Sequence, residues 1–295
     1  MVYDAIIVGG SYAGLSAGLQ LARARRQVLV IDAGLRRNRF AATSHGFLGQ
    51  DGEAPGVIAA EGRAQLMAYP TVRWVKDSAV QAQSEQAGFS IRTLHSGAFN
   101  ARRLILATGV VDDLPDVEGL AERWGRSVFH CPYCHGYELD QGRIGVLATS
   151  ALSMHHALML PDWGTTTLFT NGVFVPDAEQ QAQLERRGVT VESAAVRQIA
   201  GERADVALED GRVVPLDGLF TMPRTRMASP LAEQLGCEFN EGPMGLFIQT
   251  GETRQTTVPG VFACGDAAIA AGSVALAVGE GVRAGVGAHQ SLIMG

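Results

Sequence analysis

Lysine is all but missing from this chain of 295 residues: Lys76 stands alone among the 24 lysines and arginines. The arginines are scattered and the net charge is −6, so there is no basic stripe for a nucleic-acid backbone to follow, and nucleic acid is not an expected partner. Charge is scarce too, at 18% against 46% hydrophobic residues. That balance excludes a disordered chain and equally a membrane bundle. Four cysteines are too few for a secreted disulfide scaffold, which makes a reducing, cytoplasmic setting the expectation. A charge-free run from Ala5 to Ala22 is broken by Gly9, Gly10, Ser11 and Tyr12 and is preceded by Asp4 rather than by basic residues; it fits neither a membrane span nor a signal peptide. Glycine, by contrast, is plentiful, with 36 residues and no collagen-like period, as expected of many tight turns or close backbone approaches to a ligand.

The length suits two domains better than one. Tyr3 to Val8 forms a β-branched-rich run, the turn GGSYAG follows, and Leu15, Leu19 and Ala22 then recur at helical spacing. A second apolar run, Gln27 to Ile31, ends in Asp32. This is a βαβ unit with an acid at the tip of its second strand, the pattern of a dinucleotide site. Gly9, Gly10, Ser11, Ala13 and Gly14 of the turn, with Asp32, are the expected cofactor-binding residues. Ser11 takes the place of the middle glycine, where its small side chain leaves room and its hydroxyl can donate to a phosphate.

The pattern starts again after the middle of the chain. Arg143 to Leu147 is a new strand, and a shift of 139 residues lays Gly9 on Ala148, Ser11 on Ser150 and Gly14 on Ser153. The spacing predicts a second strand ending at Leu168-Phe169. Further strands are predicted at Val189 to Ala195, Ala204 to Leu208 and Val213 to Leu219, with Asp210-Gly211 as a hairpin turn.

Just ahead of this repeat lies His130-Cys131-Pro132-Tyr133-Cys134-His135-Gly136-Tyr137-Glu138. Cysteines with two residues between them can close a redox disulfide across the first turn of a helix, where thiol acidity is raised. Zinc would need a second ligand pair, yet Cys237 and Cys264 are isolated; no metal is expected. Covalent haem attachment would need an oxidising compartment, and an incidental buried pair does not explain Pro132 or the flanking histidines.

Two more turns complete the picture. Leu104-Ile105-Leu106 runs into Ala107-Thr108-Gly109, and Val261-Phe262-Ala263 into Cys264-Gly265-Asp266. They resemble, in this order, the domain-switch turn and the second flavin signature of flavoproteins with two dinucleotide folds. The whole chain resembles the low-molecular-weight thioredoxin reductases. It is closer still to their relatives, the dithiol oxidases that close disulfides in gliotoxin, holomycin and romidepsin, because of CPYCHGYE and of Asn38-Arg39-Phe40 followed by Ser44-His45-Gly46-Phe47-Leu48. The resemblance implies an α/β protein of two Rossmann-like, three-layer dinucleotide-binding domains, the second inserted in the first. Residues 1–113 and 241–295 would bind FAD, and 114–240 would be a degenerate NAD(P)H-type domain carrying the cysteines. It adds Asn38, His45, Thr108, Gly109, Gly265, Asp266, Val274 and Ala275 to the flavin contacts, and it implies a homodimer.

The direction of electron flow follows from what the repeat has lost. Ala148, Ser150 and Ser153 stand at the glycine positions, and no Arg or Lys occurs from Ile144 through Glu185, so nothing there offsets the desolvation of a pyrophosphate or 2′-phosphate. The expected function is therefore a flavin-dependent dithiol oxidase independent of NADPH. A small-molecule dithiol would reduce the disulfide at Cys131, the outer sulfur by resemblance, and O2 would reoxidise the flavin to give H2O2. His135, with an ordinary imidazole acidity near 6.5, is the first candidate base and His130 the second. A thioredoxin reductase fed by NADPH or another donor, and a flavin-bound sensor without turnover, are the alternatives.

Overall fold

The structure is a computed structural model and describes residues 1–270 and 272–294; Ala271 and Gly295, both inside the expected 241–295 segment, lie outside the described residues. Met1–Arg39, Phe47–Val111 and Thr225–Gly295 make one compact unit, and Phe40–Gly46 with Asp112–Arg224 make another. Strands and helices are numbered in chain order.

In the first unit, β1 (Val2–Val8), β2 (Val28–Asp32), β3 (Val72–Lys76), β4 (Ala79–Glu85), β5 (Gly88–Thr93) and β6 (Ala98–Leu106) form a sheet of order β3-β2-β1-β6-β5-β4. The first half of β6 pairs with antiparallel β5 and its last three residues with parallel β19 (Val261–Ala263). Alternate residues of β1 go to opposite faces, as the period of a strand dictates. Ile6 and Val8 join Leu29, Ile31, Leu104 and Leu106 in one core. Ala5 and Ile7 join Val28, Val30 and Ile105 in the other, under α1 (Tyr12–Arg23), α2 (Pro55–Met67) and α7 (Val274–Met294). Burial on both faces is why these parallel strands read as unbroken apolar runs. Part of the glycine excess is explained where α7 crosses α1: a Cβ at Gly281 would lie 2.2 Å from the Ala13 carbonyl oxygen, and one at Gly285 2.5 Å from that of Ala17. Only glycine lets the two backbones approach this closely.

A small sheet orders β17 (Phe239–Gly242), β18 (Gly245–Ile248), β16 (Arg224–Met227) and β7 (Val110–Asp113), with α6 (Leu231–Gln234) between β16 and β17. Because these strands pair with one another, 225–240 fold with the first unit, and the expected insertion of 114–240 gives way to one ending at Arg224.

The second unit is built on five parallel strands in the order β11-β10-β9-β15-β8, namely β8 (Val128–Phe129), β9 (Gln141–Leu147), β10 (Gly164–Phe169), β11 (Thr190–Glu192) and β15 (Gly218–Thr221). Ile144 and Val146 face Phe129, Leu168 and Phe220; Leu147, Phe169 and Leu219 face Trp124, Val206 and Leu208. β12 (Val196–Ala200), β13 (Asp205–Leu208) and β14 (Val213–Val214) add an antiparallel meander whose last turn runs through Asp210-Gly211. Its other elements are α3 (Pro132–His135), α4 (Met154–Met159) and α5 (Ala178–Arg186).

Two predicted strands are shorter than expected. Val213 to Leu219 splits into β14 and β15, since Pro215 has no N–H for a ladder and the next N–H, of Leu216, goes to Asp205 Oδ1 at 3.0 Å. Val189 to Ala195 shrinks to β11, because the Glu192 carboxylate turns the chain by accepting the Ala194 N–H at 2.9 Å. No helix among the described residues is long and apolar enough to cross a membrane.

Candidate active site

In the first unit the residues of the N-terminal turn gather at the start of α1. Gly9 has φ +104°, and a Cβ there would lie 2.1 Å from the Ala107 carbonyl oxygen; one at Gly14 would lie 1.9 Å from that of Gly9. A Cβ at Gly10 would meet the Trp74 ring at 2.4 Å and the Asp32 carboxyl carbon at 2.7 Å. Glycine is thus required at all three positions for steric reasons. Asp32 accepts the Gly10 N–H at 3.1 Å, and Ser11 caps α1 with its backbone only, its side chain making no cap bond. The first-turn N–H groups of a twelve-residue helix therefore open toward this loop without a hydroxyl across them.

Gly265, at φ +69°, brings the second signature to the same place: its Cβ would come 2.9 Å from that of Ala13. Asp266 is paired with Arg37 at 2.9 Å. Asn38 Nδ2 donates to the Tyr12 hydroxyl at 3.1 Å, which donates to the Pro55 carbonyl at 3.0 Å. Burial pushes the Tyr12 phenol up, against the Asn38 bond and the Arg36 charge. Thr108 and Gly109, the latter at φ +69°, follow Ala107, whose N–H is held by Val8 at 2.8 Å. Val274 and Ala275 open α7. A cradle that any Cβ would fill, an uncapped helix start and the buried, unpartnered Trp74 Nε1 beside Gly10 fit the pyrophosphate and base of a dinucleotide.

The corresponding loop of the second unit is closed. Ser150 Oγ accepts the Leu152 N–H at 3.2 Å, Ser153 Oγ accepts the Thr149 N–H at 3.1 Å, and Thr149 Oγ1 is anchored on the Met222 carbonyl at 2.8 Å. Beyond it the expected helix breaks into a 3-10 turn at Ala151–Ser153, the six residues of α4 and another 3-10 turn at Leu160–Asp162, where Pro161 cannot continue an α-helix.

Cys131 and Cys134 form a disulfide with Cα atoms 5.3 Å apart. Cys131 is the N-cap of α3 and Pro132 its first residue, where a missing N–H is harmless. At four residues, α3 is shorter than a helix with a strong dipole. His135 stacks on Phe129 at 4.4 Å, and Phe129 meets Phe220 in a tilted contact at 5.6 Å. Burial, and next the charge at His45, push the His135 imidazole down to about 4, well under the value near 6.5 expected from sequence. His130 stacks on Trp124 at 5.9 Å, and its main chain is hydrogen-bonded by buried His156, whose place on the apolar helix after the broken repeat suits a structural role. Burial also takes the His156 imidazole down to about 4.

His45 is one of the flavin contacts that the resemblance implies. The structure folds 40–46 with the second unit, and His45 Nε2 sits 3.3 Å from Glu138 Oε1 and 3.1 Å from Thr43 Oγ1. A cavity of about 460 Å³ adjoins this cluster, with Phe40, Thr43, Phe129, His135, Glu138 and Arg203 in its wall. Cys237 and Cys264 are free and buried, and burial pushes the Cys264 thiol up to about 12, so it is inert. Among the described residues no group of three or more His, Cys, Asp or Glu could hold a metal ion.

A model of the pyridine nucleotide-disulphide oxidoreductase family matches residues 3–281. A thioredoxin reductase of Claviceps purpurea, tcpT, is 33% identical over 99% of this chain and 95% of its own. The crystal structure of an oxidoreductase from Agrobacterium tumefaciens superposes with a TM-score of 0.97 at 58% identity, over 99% of both chains. That of HlmI superposes with a TM-score of 0.91 at 34% identity, over 99% of this chain and 93% of that one.

Proposed function

The chain belongs to the pyridine nucleotide-disulphide oxidoreductase family, in its thioredoxin reductase branch, and from that premise we propose that it is a dithiol oxidase independent of NADPH. The family is one of FAD-binding oxidoreductases, and bound FAD supplies a two-electron acceptor that can hand its electrons to O2 with formation of H2O2. In this reading Gly9, Gly10, Ser11, Ala13, Gly14, Asp32, Asn38, Gly265 and Asp266 hold it, with Thr108, Gly109, Val274 and Ala275 completing the contacts.

The observation that carries the proposal is the closed second loop. A pyrophosphate would need the first-turn N–H of Leu152, and Ser150 has already taken it, while the Ser153 side chain stands where the first loop has Gly14. No cation from 144 to 185 repays the loss. Electrons then enter from a small dithiol. A substrate thiolate attacks Cys131, the S–S bond breaks, and Cys134 leaves as thiolate. The second substrate thiol loses its proton and attacks the substrate sulfur held on Cys131; the product disulfide closes and Cys131 is released. The substrate gives up two protons and two electrons, and the cysteine pair gains the electrons. In this reading His135, next to Cys134 in the chain, serves the leaving thiolate, while His130, fixed by Trp124 and His156, sets the entry to the motif.

The runner-up is a reductase supplied by NADPH, favoured by the name of the Claviceps relative. Anaerobic mixing separates the two. Dithiothreitol should bleach the flavin within seconds while NADPH leaves it yellow, and rapid bleaching by NADPH would remove the oxidase. Oxygen uptake unchanged in Cys134→Ser would instead favour a sensor without turnover. The acceptance of a natural-product dithiol and a homodimeric state belong to the same proposal.

A further inference from the structure

Each substrate thiol must shed a proton before it can attack, so the dithiol step needs a place to put that proton. His135 is the imidazole next to Cys134, but burial leaves it a weak base. A thiol does not readily yield its proton to so weak a base. Something behind it must hold the charge.

Segment 40–46 supplies it. Gly125, at φ +74°, allows Phe40 to come so near that a Cβ on the glycine would lie 2.8 Å from the Phe40 Cβ. Thr43 Oγ1 then fixes the His45 ring at 3.1 Å, and the ring meets Glu138, four residues past Cys134, at 3.3 Å. The His45 side chain is 18% exposed and that of Glu138 is 39% exposed, so one partner is shielded and the other reaches the cavity wall that it shares with His135. Asp217, also in that wall, is no substitute, being tied to Arg143 and Arg203. Arg126 and Arg203 are the cations of the same wall.

We infer that His45 and Glu138 form a proton-holding pair for the dithiol step, acting through His135, with the adjoining cavity as its outlet to water. The inference rests on the proposed oxidase chemistry only for the direction of the proton. As the first substrate sulfur bonds to Cys131 and the electron pair of the old S–S bond leaves with Cys134, the thiol proton passes by way of His135 to the pair and settles against the Glu138 carboxylate. The second thiol proton follows the same route after the first has left through the cavity. Because they act through His135, both are positioning residues and neither meets the substrate.

The test is the rate at which dithiothreitol reduces the Cys131–Cys134 disulfide of the oxidised holoenzyme without oxygen. Alkylation and mass spectrometry count the free thiols, and parent, His45→Asn, Glu138→Gln and Glu138→Asp are compared from about pH 6 to pH 9. The first two variants should be slower by about 10- to 100-fold at neutral pH. The deficit should close toward pH 9, where the reagent ionises unaided, and Glu138→Asp should recover most of the rate. Rates within twofold of the parent throughout, or a deficit equal at every pH, would overturn the pair. Dithiothreitol reduces the disulfide whichever way electrons flow physiologically. Flat profiles therefore defeat the pair alone, and bleaching by NADPH defeats the oxidase alone.

Discussion

At Gly9–Gly14 three missing side chains leave a helix start open, whereas at Ala148–Ser153 two hydroxyls lie across the N–H groups of the equivalent loop. Strand and sheet are the same in kind on both sides. The comparison teaches that a dinucleotide loop is closed without dismantling the fold: Ser153, at the place of Gly14, takes the Thr149 N–H, and Ser150, unlike its counterpart Ser11, turns its hydroxyl onto the Leu152 N–H.

The comparison breaks most readily in the first unit. Gly14→Val puts a branched Cβ where 1.9 Å separates the position from the Gly9 carbonyl oxygen. It should cost at least about 3 kcal/mol and strip the flavin, read as lost absorbance of the purified protein and a lower urea midpoint. Retention of FAD at parental stability would show that the difference between the loops is not steric.

Acid sharpens it from the other side. His135 and His156 both lie in the inserted unit with imidazoles near 4 against 6.5 unfolded. The unfolded chain therefore binds more protons between those values, and stability falls as the pH drops from about 6.5 toward 4. By pH 5 each should cost roughly 1 to 2 kcal/mol. In a Trp74→Phe background, urea melts followed by the fluorescence of Trp124 and Trp163 should show the inserted unit weakening first; equal midpoints at pH 7 and 5 would contradict the burial of these rings.

The smallest effect is the attempt to reopen the second loop. Ser150→Gly with Ser153→Gly frees the Leu152 and Thr149 N–H groups. Stability should fall by about 1 to 2 kcal/mol, and affinity for NADPH, followed by fluorescence quenching, should improve by less than about tenfold, because the cation for the phosphate is still lacking.

Much of this was legible in the sequence. The glycines, Asp32, the broken repeat and the cysteine pair are local patterns, and local patterns survive in one dimension. The partner of His45 was not. His45 is 93 positions from Glu138, flanked on both sides by chain of the first unit, and nothing in its spacing signals that seven residues cross over. Glu138 stood in the motif without a partner to give it meaning. The weak basicity of His135 was equally hidden, since it comes from Phe129 and the core beneath, and burial is a property of the folded state.

The crossing of α1 and α7 has a consequence for synthesis. The first unit needs Gly281 and Gly285 against Ala13 and Ala17, so it is sealed only when α7 has emerged from the ribosome. The inserted unit has all its strands by Thr221 and can be finished while translation is still under way. The cysteine pair is thus assembled before the cofactor cradle, and the nascent chain carries Cys131 and Cys134 for a time without it.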